Sequence, residues 1–432
     1  MLSVFFRSSS LLMVGTVSAA VLGLLETLVL GRFLGVAGFG AFSVVFVTST
    51  FLVALIGFRT PEALSRQIVI SKKSNNPQEV LLAITALIVL QCLVHLCVLV
   101  SISVTAHWLA IGLTDNVELQ FAFIFAAVAK FTEFLNPVWF TVARDKKRFL
   151  LIGFEPVIFR ALQLLLFVGL WWQGELTVLT STIVLVFRGI IQLVYETLSL
   201  RQMILKTGDT TASMSSLPWR QAFFFRSKLP NLWHFLRANF VGSFASAMTK
   251  YADVVILGAF SSNAEVGLYR VARSIVGVGQ RIKDVLGNVI YPGYLEMVSN
   301  QQGKRIIQYT VAISKIWLPL TCLGIGIIAL QAEWIIVNTI GAAFLEAIPV
   351  LYIFLVGGFV TIAFFWAPHL VLAFGEYRFH MILMLSVSIP AAVVYIPAAI
   401  FYGAKGIAGV TSAMWIVLFV SFMIRGWERC KA

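Results

Sequence analysis

Long apolar runs separated by short polar stretches dominate this chain. Runs able to cross about 30 Å of hydrocarbon occupy residues 10–30, 39–58, 80–104, 118–140, 150–172 and 176–200. After a polar break they resume at 234–259, 266–290, 307–330, 346–373, 379–402 and 405–425. None shows the alternation of a membrane β-barrel. The pattern therefore predicts α-helices, the other way to satisfy backbone polar groups in lipid. The expected fold is an all-α polytopic membrane protein of about 12 transmembrane helices in two six-helix lobes. The lobes span residues 1–200 and 233–432, joined by a Ser/Thr-rich cytoplasmic linker over 201–232.

Loop charges set the orientation. Arg59, Arg66, Lys72 and Lys73 follow the second run, and Arg144, Lys146, Lys147 and Arg148 follow the fourth. Arg425, Arg429 and Lys431 close the chain, whereas 105–117, 173–175, 260–265 and 331–345 hold no Lys or Arg. An excess of Lys and Arg marks cytoplasmic loops, so both termini are expected in the cytoplasm, with Arg32 and Lys405 as exceptions. The first run continues past Glu26 into another span and reads as an uncleaved helix rather than a signal peptide. Two segments, 60–71 and the basic aromatic stretch from Trp219 to Arg226, fit helices lying along the membrane surface.

Composition agrees. The 432 residues are 59% hydrophobic and 12% charged, with mean hydropathy +0.93, whereas soluble domains carry roughly twice that charged fraction. In this setting the net charge of +13 reflects cytoplasmic loops and attraction to membrane lipids, not nucleic acid. Cys92, Cys97, Cys322 and Cys430 have no C-x-x-C spacing, and the five histidines have no ligand spacing. No phosphate-binding loop of the G-x-x-x-x-G-K-[ST] kind and no H-E-x-x-H is present. No cofactor and no enzymatic activity are expected; a secondary transporter or flippase is.

The intramembrane charges carry the candidate chemistry, because each costs several kcal/mol in lipid unless it meets a partner or water. Arg270, Gly277, Arg273, Arg281 and Asp284 fall within roughly 80° on the eighth predicted helix. Arg270 and Arg273 lie one to two turns in from the Lys- and Arg-poor side. Two guanidinium forks a turn apart suit a diphosphate, and Arg32, at the matching end of the first lobe, is placed to complete such a pocket. Lys130 with Glu133, and Lys250 with Asp253, are spaced to pair on one helix. Glu155, Arg188, Glu196, Arg237 and Lys315 lie near predicted ends, where snorkelling accounts for them.

The sequence also repeats. Glu26-Thr27-Leu28-Val29-Leu30-Gly31-Arg32-Phe33 aligns on Asp253-Val254-Val255-Ile256-Leu257-Gly258-Ala259-Phe260 at an offset of 227 residues, which also matches Gly40 to Gly267. Such an offset indicates two homologous halves. Glu26 and Asp253, equivalent in the repeat, are the candidate ion-coupling residues, since a carboxylate in a low-dielectric cavity can cycle a proton or bind Na⁺.

Gly31-Arg32-Phe33-Leu34-Gly35 through Gly40 resembles the R-x-L-G-x-x-x-[FY]-G element of polysaccharide-biosynthesis flippases. Asp253 through Gly258, followed by Glu265-Val266-Gly267-Leu268-Tyr269, resembles their D-x-x-[IL]-[IL]-G … [ED]-V-G-x-Y element. That family belongs to the multidrug/oligosaccharidyl-lipid/polysaccharide (MOP) transporter superfamily. The resemblance implies a multi-pass protein of the bacterial inner membrane. It would flip undecaprenyl-diphosphate-linked oligosaccharide repeat units, for O-antigen or exopolysaccharide, to the periplasmic leaflet by alternating access through a cationic central cavity. It also implies a polysaccharide polymerase and a chain-length regulator as partners, and places Arg32 and Arg270 at the family's cavity-mouth elements. The alternative is a multidrug, cation-coupled exporter of the same superfamily, which would present an anionic cavity.

Overall fold

The computed structural model describes residues 2–73, 76–205 and 218–431. Its helices are α1 (Leu2–Ile56), α2 (Thr60–Lys73), α3 (Pro77–Thr114), α4 (Gln120–Phe131), α5 (Asn136–Asp145), α6 (Phe149–Trp172) and α7 (Val178–Leu205). Two single turns, α8 (Trp219–Ala222) and α9 (Phe225–Lys228), lead into α10 (Pro230–Phe260), α11 (Asn263–Ser299), α12 (Gly303–Leu330) and α13 (Ala332–Thr339). The chain finishes with α14 (Ala347–Ala363), α15 (Trp366–Ala373) and α16 (Tyr377–Lys431). No strand occurs among the described residues.

Eight of these segments are long and apolar enough to cross a membrane, or nine if α14 and α15, bent by 41°, form one span. Two of them hold a pair of helices each. Gly35 (φ 71°, ψ 177°) breaks α1, and Gly403 (φ 55°, ψ −135°) breaks α16. Both glycines sit where the apolar pattern predicts a connection. The loops shrink to one residue because glycine alone takes such positive φ without a steric penalty. With α11, long enough but striped with charge, every predicted span falls on helical segments, two of them broken: 118–140 into α4 and α5, and 346–373 into α14 and α15. α12 turns apolar side chains outward, with Ile316 70% and Leu330 87% exposed, as a helix facing lipid does.

The chain divides into two compact units. Unit 1 is Met1–Gly15 with Val45–Ala247. Its core gathers Leu64, Leu87, Trp139, Leu200 and Leu236. Ala222, Leu229 and Leu232, from the described part of the 201–232 connection, are also buried, while Phe223 and Phe224 stay exposed. On its basic rim Lys72 pairs with Asp145 at 2.6 Å and Arg144 donates to Ser65 at 2.5 Å. Residues 206–217, the rest of the predicted linker, lie outside the described residues.

Unit 2 is Thr16–Val44 with Met248–Ala432. Here the internal repeat becomes geometry, because α1 after its break crosses the start of α11. A Cβ placed on Gly40 would lie 1.7 Å from the Asn263 carbonyl oxygen, and one on Gly267 would lie 2.2 Å from that of Val36. Gly40 matches Gly267, and Val36 matches Asn263, at the same offset of 227. The contact is therefore reciprocal, each half offering the same glycine to the same position of the other. Only glycine lets two backbones approach this closely.

Candidate functional site

In unit 2, α11 is preceded by Ser262, whose side chain caps the helix by accepting from Glu265 N at 3.3 Å. The Glu265 carboxylate then accepts from Ala404 N at 2.6 Å, so this acidic residue holds the Gly403 turn. That start fixes Tyr269, Arg270 and Arg273 on the following two turns.

Asp253, on α10, is 1% exposed. Its carboxylate accepts from its neighbour Val254 N at 2.9 Å and from the Tyr269 hydroxyl, and it is ion-paired with Arg273. Arg273 also donates to Tyr269 Oη at 3.3 Å and to the Lys250 carbonyl at 2.8 Å. Tyr269 is fully buried, 5.1 Å from the Phe354 ring, with Thr411 and Tyr395 continuing the network at 3.4 and 3.1 Å. A buried ion pair is tolerable only when further hydrogen bonds satisfy both groups, and here they do. The guanidinium of Arg273 is thereby engaged within the protein.

Arg270 differs. It is half-buried, and its Nε is shielded from solvent with no hydrogen-bond partner among the described residues. Glu26, half-buried on α1, and Tyr251 act on it electrostatically. Of the two repeat-matched carboxylates, Asp253 is ion-paired with Arg273, and Glu26 acts on Arg270 electrostatically. Arg32 is exposed and makes no hydrogen bond or ion pair with the described residues. Its neighbour Gly31 packs on Ile340 and Phe344. On the outer turns of the stripe, Arg281 and Asp284 are exposed.

Unit 1 holds a second network, which the sequence pattern divides into pairs and snorkelling residues. Lys130 and Glu133 pair at 2.9 Å as their spacing predicts, and Arg188 joins them at 2.5 Å. Glu155 and Glu196 lie deep in the unit, 5% and 0% exposed. Gln192 Nε2 donates to both, at 2.5 and 2.9 Å, and Asn136 donates to Glu196 at 2.7 Å. Snorkelling is therefore the wrong account of Glu155 and Glu196. A signal is present in α7, where Arg188, Gln192 and Glu196 recur every fourth residue and so share one face.

The chain matches the polysaccharide biosynthesis protein family over residues 5–298. No curated protein sequence matches it. Among solved structures it resembles an inward-facing multidrug resistance MATE family transporter of the MOP superfamily. The TM-score there is 0.77 at 12% identity, over 96% of this chain and 94% of that one. It also resembles the lipid II flippase MurJ in an inward closed conformation, with a TM-score of 0.76 at 14% identity over 97% and 89% of the two chains. A MOP superfamily transporter from Pyrococcus furiosus, described as having a binding pocket of reversed polarity, gives 0.62 at 14% identity over 99% and 96%. At these identities the likeness establishes the fold alone, one shared with MOP superfamily transporters and the MurJ flippase. Helices, fold and family match agree that this multi-pass membrane chain belongs to the polysaccharide biosynthesis protein family.

Proposed function

We propose that this protein is a flippase that moves undecaprenyl-diphosphate-linked oligosaccharide repeat units from the cytoplasmic to the periplasmic leaflet of a bacterial inner membrane by alternating access. One observation carries the choice of an anionic cargo: the half-buried Arg270, with a shielded Nε donor that no described residue satisfies. A guanidinium with an unsatisfied donor in a low-dielectric setting is a ready partner for a diphosphate. In this reading Arg270 receives the headgroup and the exposed Arg32 adds positive charge. Arg273 shapes the surrounding wall while its own charge is balanced by Asp253. The lipid chains never need to leave the bilayer. The loop charges favour cytoplasmic termini, and a polymerase with a chain-length regulator would act on the delivered repeat units. The exporter reading shares the fold, but an organic cation would have nothing to gain from Arg270.

The test follows the cargo. In a strain lacking the protein, lipid-linked oligosaccharide is quantified on each leaflet after wild type, Arg270→Ala or Arg273→Ala is restored. Build-up on the cytoplasmic leaflet that wild type relieves and Arg270→Ala, at equal membrane abundance, does not relieve is the expected result. Relief by Arg270→Ala removes Arg270 from the headgroup site, and absence of build-up refutes the flippase.

A further inference from the structure

Unit 1 buries two carboxylates that its cations do not reach by hydrogen bond. Lys130 and Arg188 both donate to Glu133. Glu155, from α6, and Glu196, from α7, are bound instead by neutral amides, Gln192 Nε2 to both and Asn136 Nδ2 to Glu196. Arg188 acts on Glu155 across space, as does Glu133; Tyr195 feels both buried carboxylates, and His95 on α3 feels Lys130 and Glu133. Counted over Lys130, Glu133, Glu155, Arg188 and Glu196, the carboxylates exceed the cations by one. Two acceptor atoms here are also buried without a donor among the described residues, Glu196 Oε2 and Gln192 Oε1. Both belong to side chains more than nine-tenths buried.

These facts fit one ligand. Two carboxylates within hydrogen-bond reach of a single nitrogen, away from water, repel too strongly for both to stay charged. A stranded acceptor costs about 1–3 kcal/mol. One proton on Glu196 Oε2 removes the excess charge. It would also put a donor on the carboxyl to which the Gln192 amide already donates, where Gln192 Oε1 lacks one. Acid and amide would then close a ring of two hydrogen bonds, and Glu155 would remain as the charged member.

We propose that Glu155, Gln192 and Glu196 form a proton-binding site that holds one exchangeable proton on the carboxylate pair. The binding of that proton does not rest on the flippase reading.

Infrared spectroscopy of the purified full chain in nanodiscs, without cargo, reads the proton directly. As the sample is titrated from acidic to alkaline pH, wild type should lose the carbonyl absorbance of one buried carboxylic acid. Glu196→Gln and Glu155→Gln should each abolish that titrating band. Gln192→Leu should shift its frequency by removing the amide from the ring, a readout that needs no loss of a carboxylate. Absence of an acid band in wild type overturns the proposal without any variant. So does a band that survives in both glutamine variants, or one that added sodium erases at constant pH. A confirmed band beside failed leaflet transport would keep the site and discard the flippase.

Discussion

The reciprocal crossing of α1 and α11 makes a prediction whose sign is opposite to the usual one. In a helix interior, Gly→Ala normally stabilises by about 0.5–1 kcal/mol, because alanine has less backbone freedom to lose. Gly112 in α3 and Gly324 in α12 have open space where a Cβ would stand, with nothing within 4 Å, so their alanine variants should gain that amount. At Gly40 the added carbon would lie 1.7 Å from Asn263 O, and at Gly267 2.2 Å from Val36 O, where real Cβ atoms keep at least 3.0 Å. The helices must separate by about 1 Å, and overpacking of this kind costs about 1–3 kcal/mol. Net destabilisation of about 1–2 kcal/mol is expected for each variant, once the helical gain is set against that cost. The contact is shared, so a separation forced by one alanine makes room for the other, and the double variant should lose less than the sum. Unfolding of purified protein in nanodiscs, followed by tryptophan fluorescence, measures all five variants. A stabilised Gly40→Ala, or strictly additive losses, would refute the crossing.

Three further outcomes can be checked. Asp253→Asn leaves Arg273 buried beside a neutral partner and should destabilise by about 3–5 kcal/mol, whereas Asp253→Asn with Arg273→Met should recover much of that loss in a double-mutant cycle. Arg270→Lys keeps the charge but loses the planar fork, so leaflet transport should fall below wild type while remaining above Arg270→Ala. Glu376, preceding α16, accepts hydrogen bonds from Arg425, at 3.2 Å, and is ion-paired with Arg429. Burial opposes ionisation of its carboxyl, but these hydrogen bonds and charges outweigh it and hold the group below the usual carboxylate range. The tie should therefore be fully present above the unfolded value of about 4.3 and lost as pH falls through the lower folded value. The stability difference between wild type and Glu376→Gln, measured by thermal unfolding at a series of pH values, should vanish on acidification.

The helices are legible because lipid imposes a simple rule, that about twenty consecutive apolar residues cross it. Gly35 and Gly403 show where that rule loses detail. The pattern places a connection at each, but only backbone angles reveal that a single residue makes the turn. Lys130 with Glu133 can be paired from spacing alone, since Glu133 falls in the turn directly after α4 and its N–H still bonds back to the Lys130 carbonyl. Arg273 can be placed on a polar stripe, yet its partner comes from α10, and a contact between helices leaves no periodic trace in either. Glu155 and Glu196 escape the pattern for the same reason. Their distance from a helix end is visible in the sequence, while the neighbouring helix that buries them is not.

The glycine crossing also bears on how such a chain could have arisen. A half-length protein that paired with a second copy of itself would have met its partner at one glycine facing one carbonyl, twice over, across the axis of symmetry. Every substitution there would have been felt on both sides at once. Joining the halves in one polypeptide separates the two contacts genetically while leaving them mechanically linked. Position 36 is Val and its counterpart 263 Asn, a divergence the crossing permits because its closest approaches are made by their backbone oxygens. The same freedom lets α11 gather arginines that the matching stretch of α1 lacks, so two matched segments carry unlike charge.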